Sequence, residues 1–197
     1  MKRYYLILFL FFVSLIKSEA GAIKTNQEII SLIENNWNSI STMSGTFKQI
    51  DPDNNIDTGN FYFDKPYKSK FLYDKKKESI ITSRFLIHLL DQEGFQIDSY
   101  PIGNSPIKKI LSKSITFDEI FKITGFSEET DLYQMTVTSK TPNNLNEKVL
   151  FFFTKEDLTL KKWQISDEFN NKTVLEFTNI QKNIFIQPNK FVVRYKE

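Results

Sequence analysis

The sequence predicts a mainly β (α+β) chain: one antiparallel, strongly curved sheet or barrel of about eleven strands, preceded by one long helix and interrupted by one or two short ones. Three observations predict it. Short segments rich in aromatic and β-branched residues recur at even spacing, with turn chemistry between them. A sustained helical periodicity occurs near residues 29–40, where Ile29, Ile30, Leu32, Ile33, Trp37 and Ile40 share one face. Nineteen of the 197 residues are Phe; with eight Tyr and two Trp, aromatic residues reach 15%.

The elements follow in order. Thr25-Asn-Gln-Glu28 is a capping-box pattern that places a hydroxyl and a carboxylate on the first free N–H groups of the helix. That helix is expected to end before Gly45. Strands are expected at 44–50, 58–64, 68–73, 78–82, 84–91 and 95–100, separated by Asp51-Pro-Asp-Asn-Asn55, Lys65-Pro66, Asp74-Lys-Lys76 and Glu93-Gly94. Ser105-Pro106 then pairs an N-cap with proline at the first helical position, and Ile107, Ile110 and Leu111 fall on one side of the short helix it opens. Thr116-Phe-Asp-Glu119 suggests another single turn. Strands resume at 120–126, 131–138, 147–154, 159–167 and 172–181, and residues 190–193 are expected as a short edge strand. A sheet of this width must be plugged or hold something, because barrels of about eight strands already reach the size that encloses a small ligand.

The first 22 residues read as an export signal rather than part of the fold. Lys2 and Arg3 precede an apolar run at 6–16, and Ala20-Gly21-Ala22 supplies small residues for cleavage near Ala22. The run is short of the roughly 20 residues that span a bilayer. One domain is expected over 23–197, in the periplasm of a Gram-negative bacterium. Removing the signal takes three basic residues (Lys2, Arg3, Lys17) and one acidic (Glu19), so the whole-chain charge of +2 falls to zero. That balance argues against nucleic acid as a partner. The chain has no cysteine and one histidine, which excludes disulfides, thiolate metal sites, cysteine nucleophiles and lipid attachment through cysteine.

Few residues point to catalysis, and neither cofactor nor metal is expected. His88 could serve as a general base, but no G-x-S-x-G, H-E-x-x-H or glycine-rich phosphate loop accompanies it, and a strand histidine with an ordinary hydrogen bond is the expectation. Asp51, Asp53, Asn55 and Asp57 alternate like the start of a calcium loop, yet Ile56 and Tyr62 stand where such a loop needs Gly and Glu. Lys75-Lys76-Lys77 reads as a solvated turn. The aromatic residues are the informative feature: Phe61 with Phe63 and Phe151 with Phe153 each share a face, either as packed core or as the wall of an apolar cavity.

Several segments together resemble the LolA family of periplasmic lipoprotein carriers. They are Met43-Ser-Gly-Thr-Phe47-Lys-Gln49, Gly59-Asn-Phe61-Tyr-Phe63-Asp-Lys65-Pro66, Phe71-Leu-Tyr73, Tyr100-Pro-Ile-Gly-Asn-Ser105-Pro106-Ile-Lys-Lys-Ile-Leu111, Leu160-Lys-Lys-Trp163-Gln-Ile165-Ser-Asp167 and Thr173-Val-Leu-Glu-Phe177. The resemblance implies an unclosed eleven-stranded barrel with a helical lid over a hydrophobic cavity, and no enzymatic activity. It also implies a monomer that binds lipoprotein acyl chains, takes them from an inner-membrane lipoprotein-releasing ABC complex, and passes them to an outer-membrane receptor or to the outer membrane directly. A periplasmic hydrophobic-ligand or lipid-sensing protein of the same fold is the alternative. Candidates to line the cavity are Phe47, Phe61, Phe63, Phe71, Phe153 and Trp163 on the sheet, with Ile107, Ile110 and Leu111 on the lid. Relatives carry an arginine at Lys65 that hydrogen-bonds the lid. Lysine keeps the charge without the planar fork, and Lys65 is the candidate latch. Ser69 stands where some relatives carry a bulky aromatic near the mouth.

Overall fold

A computed structural model of the chain describes residues 24–140 and 148–196. The expected export signal lies outside the described residues. The chain starts with α1 (Asn26–Ser39), capped as its sequence predicts: the Glu28 amide donates to Thr25 Oγ1 at 3.3 Å and the Thr25 amide donates to Glu28 Oε2 at 2.7 Å. Its apolar stripe of Ile29, Ile30, Ile33 and Trp37 is buried.

Among the described residues eleven strands follow: β1 (Thr42–Ile50), β2 (Ile56–Asp64), β3 (Lys68–Tyr73), β4 (Ser79–Thr82), β5 (Leu86–Leu90), β6 (Gln96–Pro101), β7 (Phe121–Glu128), β8 (Leu132–Ser139), β9 (Lys148–Thr154), β10 (Leu160–Ser166) and β11 (Lys172–Lys182). Two short helices, α2 (Pro106–Ile110) and α3 (Phe117–Ile120), lie between β6 and β7. All eleven strands form one sheet in the order β6-β5-β4-β3-β2-β1-β11-β10-β9-β8-β7. Every neighbouring pair is antiparallel. The first and last strands therefore meet mid-sheet, and the two edges, β6 and β7, are consecutive in sequence. The sheet is an unclosed barrel, and the segment carrying α2 and α3 spans its gap.

Curvature has identifiable sources. Register shifts occur between Ser44 and Thr46, Leu89 and Leu90, Ile123 and Gly125, and Leu160 and Lys162; each bends its strand and increases local twist. Two glycines allow close approach. Gly45 pairs with Phe61 and Gly59 with Phe47 across β1–β2. A Cβ on Gly45 would lie 2.9 Å from the Phe61 ring, and one on Gly59 would lie 2.8 Å from the Phe47 ring. Each ring therefore fills the space a side chain would occupy. The two Gly-x-Phe segments of the sequence are reciprocal halves of this one arrangement.

Three hairpin turns share a design. Asp51, Asp91 and Asp167 each use a side-chain oxygen to accept from the amides two and four residues on, and Asn54, Gly94 and Asn170 take the left-handed backbone each turn requires. Asp51 is thus committed to its own turn, and Asp57 pairs with Lys76 at 2.6 Å. Among the described residues no acidic or histidine cluster could hold a metal ion.

The expected edge strand at 190–193 is corrected. Pro188–Phe191 is a 3-10 turn, and the sole pairing there is a parallel bridge between Phe95 and Arg194. Pro188 opens the turn because it lacks an N–H and has a fixed φ. This C-terminal segment crosses the outer face of the sheet. Lys190 Nζ lies 5.0 Å from the Tyr62 ring centre, and the Gln96 amide donates to Arg194 O at 2.8 Å. Ile81, His88 and Leu90 are buried on that face, and His88 Nδ1 lies 2.8 Å from Gln96 Oε1. His88 therefore sits outside the barrel interior.

Candidate functional site

Alternation within the strands sends their rings to the concave side. Phe47 and Phe177 face each other across β1–β11, Phe61 and Phe71 across β2–β3, and Phe151 and Trp163 across β9–β10. Phe63 links the two halves, stacked on Trp163 at 6.3 Å and edge-on to Phe71 at 5.7 Å and Phe177 at 6.1 Å. Such pairs are worth about 0.5–1.5 kcal/mol each beyond the area they bury.

The structure brings the sequence-selected aromatic residues together. Phe47, Phe61, Phe63, Phe71, Phe153 and Trp163 belong to one buried cluster with Ile110 and Leu111 of the lid, and Ile107 packs against it. Phe117 and Phe121, on α3 and at the start of β7, join the same cluster beside Phe151 and Phe153. They sit where helix meets strand, so neither the helical nor the strand period marks their inward direction. Ser69 is also buried in the wall, its hydroxyl 2.7 Å from that of Thr82, which donates to the Tyr67 carbonyl at 3.1 Å.

Among the described residues, the rings of the concave side pack against one another, with Phe61 and Phe63 buried at their centre. Pro106, Ile107, Val149, Phe151, Trp163 and Ile165 bound a void under α2 of only about 10 Å³, at the lower limit for a single water. Among the described residues, the protein's own side chains fill the space beneath α2 where a cavity is expected. A chain-like apolar ligand can enter only if the lid and rings move.

Polar side chains on α1 hold the lid. Trp37 Nε1 donates to Ile110 O at 2.8 Å, the Phe117 amide donates to Glu34 Oε1 at 2.6 Å, and Asn38 bonds both the amide and the carbonyl of Ile115 at 2.8 Å. The Tyr67 amide adds a bond to Leu111 O at 2.7 Å from the β2–β3 turn. These roles escaped the sequence reading. The signal was the polar run Asn35-Asn36 and Asn38 late in a helix, since asparagine is a poor helix-interior residue unless its side chain has work elsewhere.

Lys65 reaches the lid through an intermediary. Its ammonium donates to Trp37 O at 2.7 Å and lies 5.1 Å from the centre of the Trp37 ring, and the same indole holds Ile110. Burial lowers the Lys65 pKa to about 8. On the wall, burial first, then the Asp57 and Glu78 carboxylates, push the Tyr73 phenol up to about 12; its hydroxyl donates to Gln49 Oε1 at 2.8 Å. One polar atom of this interior stands apart. Trp163 Nε1 is the sole side-chain nitrogen or oxygen among the described residues that is buried without a hydrogen-bond partner. Leaving such a donor unmade costs about 1–3 kcal/mol.

The profile of the family described as outer membrane lipoprotein carrier protein LolA matches residues 38–194. An outer-membrane lipoprotein carrier protein of Nitrosospira multiformis is 27% identical over 139 residues, covering 68% of this chain and 66% of that protein. The chain thus spans just under two thirds of that relative's length. Among solved structures, an uncharacterized conserved protein from Thermus thermophilus superposes with a TM-score of 0.49 at 9% identity, over 88% of this chain and 100% of that one. A LolA superfamily protein from Nitrosomonas europaea superposes with a TM-score of 0.43 at 9% identity, over 83% and 97%.

Proposed function

Because the chain belongs to the LolA family, a family of binding and transport proteins rather than enzymes, we propose that it is a periplasmic carrier of lipoproteins. It shields their acyl chains between the inner and outer membranes. The observation that carries this reading is the buried aromatic cluster beneath a lid hung on α1 by a few hydrogen bonds. Each exposed CH₂ costs about 0.8 kcal/mol in water, so a triacylated anchor of roughly 40 such groups would cost about 30 kcal/mol unshielded. Aromatic walls and a movable lid supply cover for such a load, and loose apolar contacts permit its release. The proposed sources and acceptors are an inner-membrane lipoprotein-releasing ABC complex and an outer-membrane receptor, or the outer membrane itself.

In a lid-open state, Ile107, Ile110 and Leu111 would turn from the protein's own rings to the bound chains, against Phe47, Phe61, Phe63, Phe71, Phe153 and Trp163. Lys65 would act as a latch through Trp37. Purification of the protein from the periplasm, followed by mass spectrometry of what accompanies it, tests the reading. Bound lipoproteins are expected. Phospholipid or glycolipid alone would replace the lipoprotein carrier with a lipid-binding protein of the same fold.

A further inference from the structure

Trp163 stands at the centre of the aromatic wall, on β10, with its ring stacked on Phe63 and edge-on to Phe177 and Phe151. Its indole N–H has no acceptor, although the residue is 96% buried. Other buried polar groups of the interior are paired: Trp37 with Ile110 O, Tyr73 with Gln49, and Ser69 with Thr82. The T-shaped neighbours of Trp163 are phenylalanine rings, and a ring is a much weaker acceptor than a carbonyl. Buried Trp N–H groups ordinarily find a partner, and one that does not calls for an explanation. A residue needed only to fill this place could be Phe, which packs the same wall elsewhere without an unmet donor.

The position of the residue supplies the explanation. Trp163 borders the small void under α2, together with Pro106 and Ile107 of the lid. It therefore lies where a ligand first meets the wall when α2 lifts. Resting on the carrier reading above, we propose that Trp163 Nε1–H is a specificity-determining donor that hydrogen-bonds a carbonyl oxygen at the head of the bound acyl chains, an ester or amide group. A pure hydrocarbon wall would hold any apolar chain of the right size. One donor in that wall favours chains joined through a carbonyl, because any other ligand leaves the N–H unmet. It also fixes depth, since the carbonyl must stop at Trp163 while the chains run on among the phenylalanines.

The test compares two probes by calorimetric titration of the full chain: dioctanoylglycerol, which is ester-linked, and the matching dioctyl ether. The wild type is expected to bind the ester about five- to tenfold tighter than the ether. Trp163→Phe keeps a ring and removes the donor. It is expected to bind both probes with the ether's affinity and to unfold at no lower denaturant concentration than the wild type. A merely structural Trp163 would instead weaken both probes equally. A variant that retains the ester preference would overturn the proposal, as would an equal loss for the two ligands. A second readout needs no variant at that position. The indole ¹H–¹⁵N resonance of Trp163, assigned against Trp37→Phe, should move downfield with the ester and not with the ether, and the absence of that difference contradicts the assignment. If the wild type binds both probes equally, this inference fails and the carrier reading stands. If it binds neither, both fall.

Discussion

Lys65 donates its ammonium to the main-chain carbonyl of Trp37 at 2.7 Å and lies 5.1 Å from the centre of the same residue's ring. One residue thus receives the charge of the β2–β3 turn and passes a hydrogen bond on to the lid at Ile110. Arginine at this place could bridge two acceptors with a planar fork, whereas lysine is a point donor and engages one carbonyl.

The buried ammonium makes stability depend on pH. Its folded pKa of about 8 lies below its ordinary 10.5, so the desolvation penalty is fully present below pH 8. Between the two values the unfolded chain binds more protons, stability rises with pH, and the penalty is gone above 10.5. The Trp37 carbonyl and ring favour the charged form and offset part of that penalty. Relative to Lys65→Met, which does not titrate, the wild type should therefore gain about 1 kcal/mol between pH 7 and pH 9.5, after a discount for solvent screening. Urea denaturation of both proteins at the two pH values measures it. A constant difference between them would contradict the burial argument.

Gly59 tolerates no side chain. A Cβ there would lie 2.0 Å from Leu72 O as well as 2.8 Å from the Phe47 ring. Gly59→Ala should lose about 3 kcal/mol or more. Gly125→Ala, whose Cβ would meet nothing closer than 3.6 Å, should change stability by roughly 0.5 kcal/mol or less. Chemical denaturation of the two variants side by side decides, and equal effects would refute the ring-over-glycine account of β1–β2.

Asn38 is the two-bond clasp between α1 and the lid. Asn38→Ala should leave the sheet intact and loosen the segment around Ile115 and Phe117. Losing bonds worth about 1 kcal/mol each corresponds to a roughly tenfold or greater rise in exchange of those amides. Native-state hydrogen exchange reads this directly. Uniform acceleration over the whole sheet would show that the lid does not open on its own.

Much of the architecture was legible in the sequence because local rules act on it directly. The Thr25–Glu28 box marks the start of α1, and the alternation around Phe61 and Phe151 puts their rings on one side of the sheet. Strand β3 coincides with the expected 68–73. What local rules cannot express is partnership at a distance. The meeting of β1 with β11, and Glu34, Trp37 and Asn38 reaching residues more than seventy positions away, leave no periodic trace. The aromatic residues illustrate the limit: composition allowed both a core and a cavity wall, and beneath α2 and α3 they pack as a core. Residues 190–193 failed for the opposite reason. Phe191, Val192 and Val193 have strand-like composition, but Pro188 and the outer face of the sheet decide their path.

The most direct measurement of the central claim is a calorimetric titration of the full chain with a synthetic triacylated lipopeptide and with the same peptide lacking its acyl chains. The account predicts saturable one-to-one binding of the acylated peptide, with a negative heat-capacity change from burial of apolar surface, and no binding of the bare peptide. Equal binding of the two, or binding of neither, would contradict an interior built to take acyl chains.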